Sequence, residues 1–348
     1  MYTAKDRLIK ALKGEIVDRP PCICPGGMMN MVTTDVMQQV GSMWPEAHRN
    51  PREMARLALG VHNLTGIENL GVPFCMTVEA EAMGAKIVLG SLENEPRVIE
   101  YPLLKLEDWP RLSEIRLEGG RSAVLAEAVG ILTTQNPDMP VIVNLTGPVS
   151  LASSLIEPMS FFKAMGKQPE IVHEILSFIT DNLIVFGRSL LNAGAQIINI
   201  ADPSGTGEIL GPHRFREFAL PYINLILADL EGSYQASMVH ICGRLSSIFA
   251  EINQLKTKAI SIDSTTSITK LKAALDNKII VGNVSTLLLQ NGQPDRVKAV
   301  ALNCLQKGVA VLSPACGIST ATPLANLQAM VSAVHDFDYL NREVLCFD

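Results

Sequence analysis

From residue 140 onward the chain repeats one pattern: a short β-branched run, then a stretch with apolar residues at three- and four-residue intervals, then another run. The runs are VIVNL (141–145), AQIINI (195–200), MVHIC (238–242), KAISID (258–263), IIVGNV (279–284) and VAVLSPAC (309–316). Helical periodicity falls at 119–135, 159–193, 212–230, 244–255, 267–276, 291–307 and 323–336. Strands that are apolar throughout are covered on both faces, and helical crossovers supply that cover in a parallel sheet. Two weaker runs, PPCIC (20–24) and IENLGV (67–72), bring the candidate strands to eight. Eight such units predict an α/β fold of the (β/α)8 TIM-barrel type rather than an open sheet. No G-x-G-x-x-G opens a helix after the first strand, so a dinucleotide-binding fold loses its main support.

The first residues predict a helix: Thr3 with Asp6 fits a capping box, Leu8, Ile9 and Leu12 share a face, and Gly14 stops the run. Residues 25–118 are less regular and rich in Met, Pro and Gly, and predict additional N-terminal helices and a hairpin over one barrel mouth. No repeat or flexible linker divides the chain, so residues 1–348 read as a single barrel domain. With 47% apolar and 18% charged residues there is material for a large core, which excludes disorder. The 29 Lys+Arg against 35 Asp+Glu leave a net charge of −6 with no basic run, so nucleic acid is not an expected partner. No apolar stretch is long enough to cross a membrane, and MYTAKDRLIKALKGE lacks the apolar core and cleavage site of a signal peptide. The expectation is a cytoplasmic protein.

In a parallel barrel the chemistry gathers at the C-terminal ends of the strands. Those positions are Asn144 with Thr146, Asp202, His240 with Cys242, Asp263, Asn283 with Ser285, and Cys316. Alternate residues of a strand point the same way, so His240 and Cys242 face one space, and Cys316 ends the last strand at the same mouth. Two thiolates and one imidazole suit Zn²⁺ with a fourth position left open for substrate. The residues alone leave a second reading, a satisfied core histidine with inert thiols. Of the seven cysteines, Cys22 and Cys24 read as packing between prolines, and Cys75, Cys304 and Cys346 have no partner pattern. Asp202 and Asp263 are candidate proton acceptors or partners of the histidine, with helix capping as the alternative. Glu79 and Glu81 stand two apart, as if to share a side of an extended segment. Trp44 and Trp109, each beside a proline, read as loop packing.

These residues carry a resemblance. GVPFCMTVEAEAMGAKI (71–87), NLTGPVSLA (144–152), DPSGTGEILGPHRFREFALPY (202–222), HICG (240–243), GNVS (282–285) and SPACGIST (313–320) resemble the uroporphyrinogen decarboxylase superfamily. Within it they are similar to the zinc-dependent methylcobamide:coenzyme M methyltransferases, whose H-x-C and distant Cys fall on His240, Cys242 and Cys316. The decarboxylase branch carries an R-Q-A-G-R-Y run after its first strand, whereas here the stretch is CICPGGMMNMV, without arginine. The resemblance therefore implies one zinc per chain and transfer of a methyl group from a methylcorrinoid to a zinc-activated thiol such as coenzyme M. Decarboxylation and a non-catalytic zinc-containing barrel are the alternatives. Asn144, Arg244 and Ser285 are the candidate substrate contacts, with Arg244 placed after HICG to meet a sulfonate. Met28, Met29 and Met31 offer a soft apolar surface for a macrocycle or for packing. No D-x-H-x-x-G motif occurs, so the corrinoid is expected on a small partner protein that binds transiently, against residues 25–31 and 203–211.

Overall fold

The computed structural model describes residues 2–337. Its strands are β1 (Leu70–Val72), β2 (Lys86–Val88), β3 (Arg97–Glu100), β4 (Val141–Thr146), β5 (Ile197–Ala201), β6 (Ala236–Ile241), β7 (Ala259–Ile262), β8 (Ile279–Val284) and β9 (Val311–Pro314). Seven of them form one sheet in the order β1-β4-β5-β6-β7-β8-β9, parallel at every step. Nearly every residue of these seven strands is buried, as double coverage by helices requires. The fold is a TIM-barrel-like α/β fold with added N-terminal helices.

The eighth stave departs from expectation. PPCIC makes a single parallel bridge, Cys22 to Leu312, with Ile23 N–H donating to Leu312 O and Leu312 N–H donating to Pro21 O. Pro20 and Pro21 have no N–H to extend a ladder. On the other edge one backbone bond, Glu68 N–H to Cys22 O at 2.8 Å, is supplemented by side chains. Glu68 accepts from Cys22 N at 3.1 Å, and Asn69 bonds both Cys24 N and Cys24 O at 2.9 Å. Glu68 also receives Arg7 and Arg19 at 2.7–2.8 Å, tying the seam to the opening helix.

That helix, Ala4–Leu12, is capped by Thr3 as expected. Its Leu8, Ile9, Ala11 and Leu12 form a cluster with Ile142, Ile197, Ala236, Met238, Ala259, Val281 and Val311, the inward residues near the strand starts. The helix therefore plugs the N-terminal mouth. Further up, the same inward rows turn polar: Asn144, Asn199, His240, Ser261 and Ser313.

Helix boundaries differ where proline acts. The stretch 159–193 is two helices, Pro158–Lys167 and Pro169–Asn192, because a proline starts the second at a position where its missing N–H costs nothing. The 244–255 stretch is helical only over Phe249–Asn253, and the 212–230 stretch begins earlier, at Gly207, with a non-helical Gly211 before Pro212. The antiparallel β2–β3 hairpin forms, and its loop reaches the turn after β9 through Thr320 Oγ1 donating to Glu93 O at 3.0 Å. No helix among the described residues is long and apolar enough to cross a membrane.

Leu8→Ala should lower stability by ~2–5 kcal/mol, since a fully buried leucine leaves a cavity in the plug. Urea unfolding of the variant against wild type measures this.

Candidate metal centre

β6 carries His240 into the upper barrel, and Cys242 follows on the same side. Cys316 comes from the turn after β9. The ligand atoms of the three residues lie within 4.8 Å of one another, and among the described residues theirs is the only such group of three or more His, Cys, Asp or Glu. His240 Nε2 is 3.1 Å from Cys242 Sγ, and the two sulfurs are 3.7 Å apart. Tetrahedral zinc with bonds of ~2.3 Å to sulfur would set two sulfurs ~3.8 Å apart. The donor set therefore fits zinc in kind, and the two sulfurs fit it in spacing, with three protein ligands in the group.

The thiols are paired electrostatically. Cys316 is held below the ordinary thiol range, first by the hydrogen bond from Cys242, then by His240 and by the N–H of Gly317, against the opposing effect of burial. Cys242 is pushed up by the same pairing, by burial and by the charge of Asp263. The pairing favours a thiolate on Cys316 beside a protonated Cys242.

His240 Nδ1 meets Ser261 Oγ at 2.9 Å. The expected partners, Asp202 or Asp263, do not reach it. Register explains the difference: Ser261 is the cross-strand neighbour of His240 in the parallel ladder. A serine inside the apolar run KAISID carried that signal, but only register could read it. Two hydroxyls grip the backbone beside the cluster, Thr206 Oγ1 on Cys242 O at 2.7 Å and Thr266 Oγ1 on Gly243 O at 2.8 Å. On the other side Met28 Sδ lies 4.0 Å from Cys316 Sγ. Gly317 permits that approach, because a Cβ there would stand 2.6 Å from Met28 O and 3.2 Å from Asn30 N. The hairpin loop brings Glu95 close to Cys75 and Cys316. The residue keeps solvent-exposed surface, yet burial of its carboxyl, with the nearby thiols, pushes it up to about 7.

Several expected residues serve elsewhere. Asp202 is fully buried and accepts from Ser150 Oγ at 2.6 Å, Ser150 N at 2.9 Å, Gly205 N at 3.1 Å and Val149 N at 3.2 Å. It clamps the start of helix Pro148–Leu155 to the loop after β5, and burial raises its carboxyl. Asp263 is half-buried and accepts from Thr265 N at 2.7 Å. Asn144 spends its amide on Pro25 O, Val72 O and Asn199. Arg244 is exposed and lies against Glu208 at 3.5 Å. Ser285 lines a separate cleft of about 460 Å³ with Thr265, Asn283 and Lys307.

Glu79 and Glu81 lie on a helix, Val78–Ala82, so two-residue spacing separates them. Glu79 turns inward to Thr146 N at 2.8 Å, and Glu81 pairs with Arg121 at 3.0 Å. Met29 and Met31 are buried, leaving Met28 as the partly exposed member of the three. Cys22, Cys24, Cys75 and Cys304 are buried free thiols, and Cys346 lies outside the described residues. Trp44 packs between His48 and Phe74, and Trp109 donates to Glu174 at 3.0 Å.

Comparison with known proteins adds the decisive observation: the uroporphyrinogen decarboxylase (URO-D) profile matches residues 3–337. The chain belongs to the URO-D family. Among curated relatives it is 35% identical to a methylcobamide:CoM methyltransferase, MtbA, of Methanosarcina mazei, over 97% of this chain and 99% of the relative. It is 34% identical to the methylcobamide:CoM methyltransferase MtaA of Methanosarcina barkeri, over 97% and 98%. Among solved structures a methyltransferase from Methanosarcina mazei superposes with a TM-score of 0.90 at 34% identity, covering 97% of this chain and 99% of that one.

Two outcomes follow from this geometry. In metal-free protein, alkylation of the pair by iodoacetamide should rise with pH well below the ~8.5 of a free thiol, because the depressed thiol is ionised above its own pKa. A rise only at that ordinary value would show that the pairing does not favour a thiolate. Gly317→Ala should cost ~1–3 kcal/mol through overpacking against residues 28–30, read as a lowered unfolding midpoint.

Proposed function

We propose that this URO-D family member is a zinc-dependent methyltransferase, moving a methyl group from a protein-bound methyl-Co(III) corrinoid to a small thiol such as coenzyme M. The observation that carries the reading is the trio His240, Cys242 and Cys316: two thiols and an imidazole gathered within 4.8 Å, with no fourth His, Cys, Asp or Glu in the group among the described residues. Near full-length similarity to proteins named for that transfer supports it.

Bound zinc would hold the substrate thiol as a thiolate at neutral pH, where a free thiol is mostly protonated. Cys242 and Cys316 supply negative charge that keeps such a sulfur electron-rich. Thr206 and Thr266, by fixing the backbone at 242–243, hold Cys242 and the following turn in place. In the transfer the substrate sulfur would form a bond to the methyl carbon while the Co–C bond breaks, its electron pair staying with the cobalt of the donor corrinoid. The thiol proton would leave to solvent or to a base at the mouth; Asp263 and Glu95 are the carboxylates whose charge is felt at Cys242 and Cys316. The half-buried thioether of Met28 offers a soft, uncharged contact at the mouth. The corrinoid protein would dock transiently on this face, against residues 25–31 and 203–211, since each turnover requires it to leave and be remethylated.

Purified protein should hold about one zinc per chain, with Cys242→Ala and Cys316→Ala each losing it. Methylcobalamin and coenzyme M should yield cob(I)alamin and the methyl thioether. Full zinc retained in both variants would remove the site. Release of CO₂ from uroporphyrinogen without demethylation would favour a decarboxylase, and zinc whose X-ray absorption edge ignores added thiol would favour a non-catalytic barrel.

A further inference from the structure

Ser261 has one hydroxyl proton and two neighbours. His240 Nδ1 lies 2.9 Å away, and Met29 Sδ lies 3.6 Å away on the donor side of the hydroxyl. All three residues are fully buried. A thioether carries no proton and only accepts. If the Ser261 proton points at Met29, the hydroxyl lone pair must accept from Nδ1–H, and Nε2 keeps its lone pair toward Cys242. If the proton points at His240 instead, the neutral ring carries its hydrogen on Nε2, and the ligating lone pair is lost.

Met29 is held for this task by the loop that bears it. Gly26 and Met29 exchange backbone bonds of 3.0 and 3.1 Å, and Cys24 Sγ donates to Met29 O at 3.4 Å. Asn30, next in sequence, accepts from Ile318 N at 3.0 Å and donates to Ile318 O at 3.2 Å. The thioether is thus fixed relative to both the barrel wall and the turn after Cys316.

We propose that Met29 is a positioning residue: its thioether takes the Ser261 proton and so sets His240 in the Nδ1–H tautomer that ligates through Nε2. The proposal rests on zinc binding at His240, Cys242 and Cys316. It extends the site by two groups that touch neither substrate nor metal. Outer hydrogen bonds of this kind orient a metal-binding imidazole and fix its tautomer.

The test reads the tautomer directly, by long-range ¹⁵N–¹H correlation on histidine-labelled protein, which has six histidines. Zinc affinity is measured alongside by chelator competition. Zinc-loaded wild type should show the proton on Nδ1. Met29→Leu should weaken zinc about tenfold, the lower end for outer-shell losses, and Met29→Gln, whose amide oxygen accepts, should keep the wild-type affinity. In a Ser261→Ala background, Met29→Leu should cause no further loss. An Nε2–H signal in the zinc-loaded wild type would overturn the relay without any variant, whatever the folding of Met29→Leu. An equal loss in both Ser261 and Ser261→Ala backgrounds would reduce Met29 to packing, and unchanged affinity in Met29→Leu would also overturn the relay while leaving the zinc reading intact. Wild type with no zinc at the trio would overturn that reading, and the proposal with it.

Discussion

A parallel barrel is open at both ends until something fills one of them, and here helix Ala4–Leu12 fills the end where the strands begin. The rest of the molecule follows from that plug. With Leu8 and Leu12 against the strand starts, the lower interior is apolar and closed to water. Inward polar residues are then tolerated only above it, where neighbouring strands supply partners and the mouth admits solvent. His240, Cys242 and Cys316 occupy that upper zone. The carboxylate of Glu68, shared by Arg7, Arg19 and the N–H of Cys22, links the plug to the seam that closes the barrel. Closure and plugging therefore share one carboxylate. The same carboxylate would be a buried unpaired charge if either were lost.

The polar groups above the plug are almost all committed. Asp202 bonds four donors, Asn144 bridges three segments, and Glu79 holds Thr146. Such groups are costly to bury and are retained because each joins two elements that must not move relative to one another. Their number around the thiols gives the cluster rigid walls. The chemistry is left to the few side chains that face the mouth with unspent capacity.

Much of this was legible in the amino-acid order, and the reasons differ by element. The six strands from 141 onward were readable because double burial leaves near-continuous β-branched runs. His240 and Cys242 were readable because a two-residue period is a geometric statement, and Cys316 because it ends the last such run. The run at 20–24 reads only as a weaker strand, since nothing local shows that the Glu68 and Asn69 side chains will supplement its few backbone bonds. Glu79 and Glu81 were assigned a shared side because TVEAEAMG gives no clear signal between extended chain and a short helix. Two placements lie beyond what local sequence can give, Ser261 at the His240 ring and Arg244 beside Glu208. Whether a side chain reaches the cluster depends on register and on competing partners, here His240 for the serine and Glu208 for the arginine. Neither is encoded within a few residues of the position concerned.

The loop carrying Met28 and Met29 is fastened to Ile318, 288 residues later in the chain, and Cys316 follows Cys242 by 74. A chain made from its N-terminus thus exposes a soft thioether and an incomplete pair of ligands long before the third arrives. The last crossover closes the seam against residues 21–23, seats the loop, and delivers the final sulfur together. A chain cut before residue 316 would therefore lack both the third ligand and the contacts of the last turn with residues 28–30.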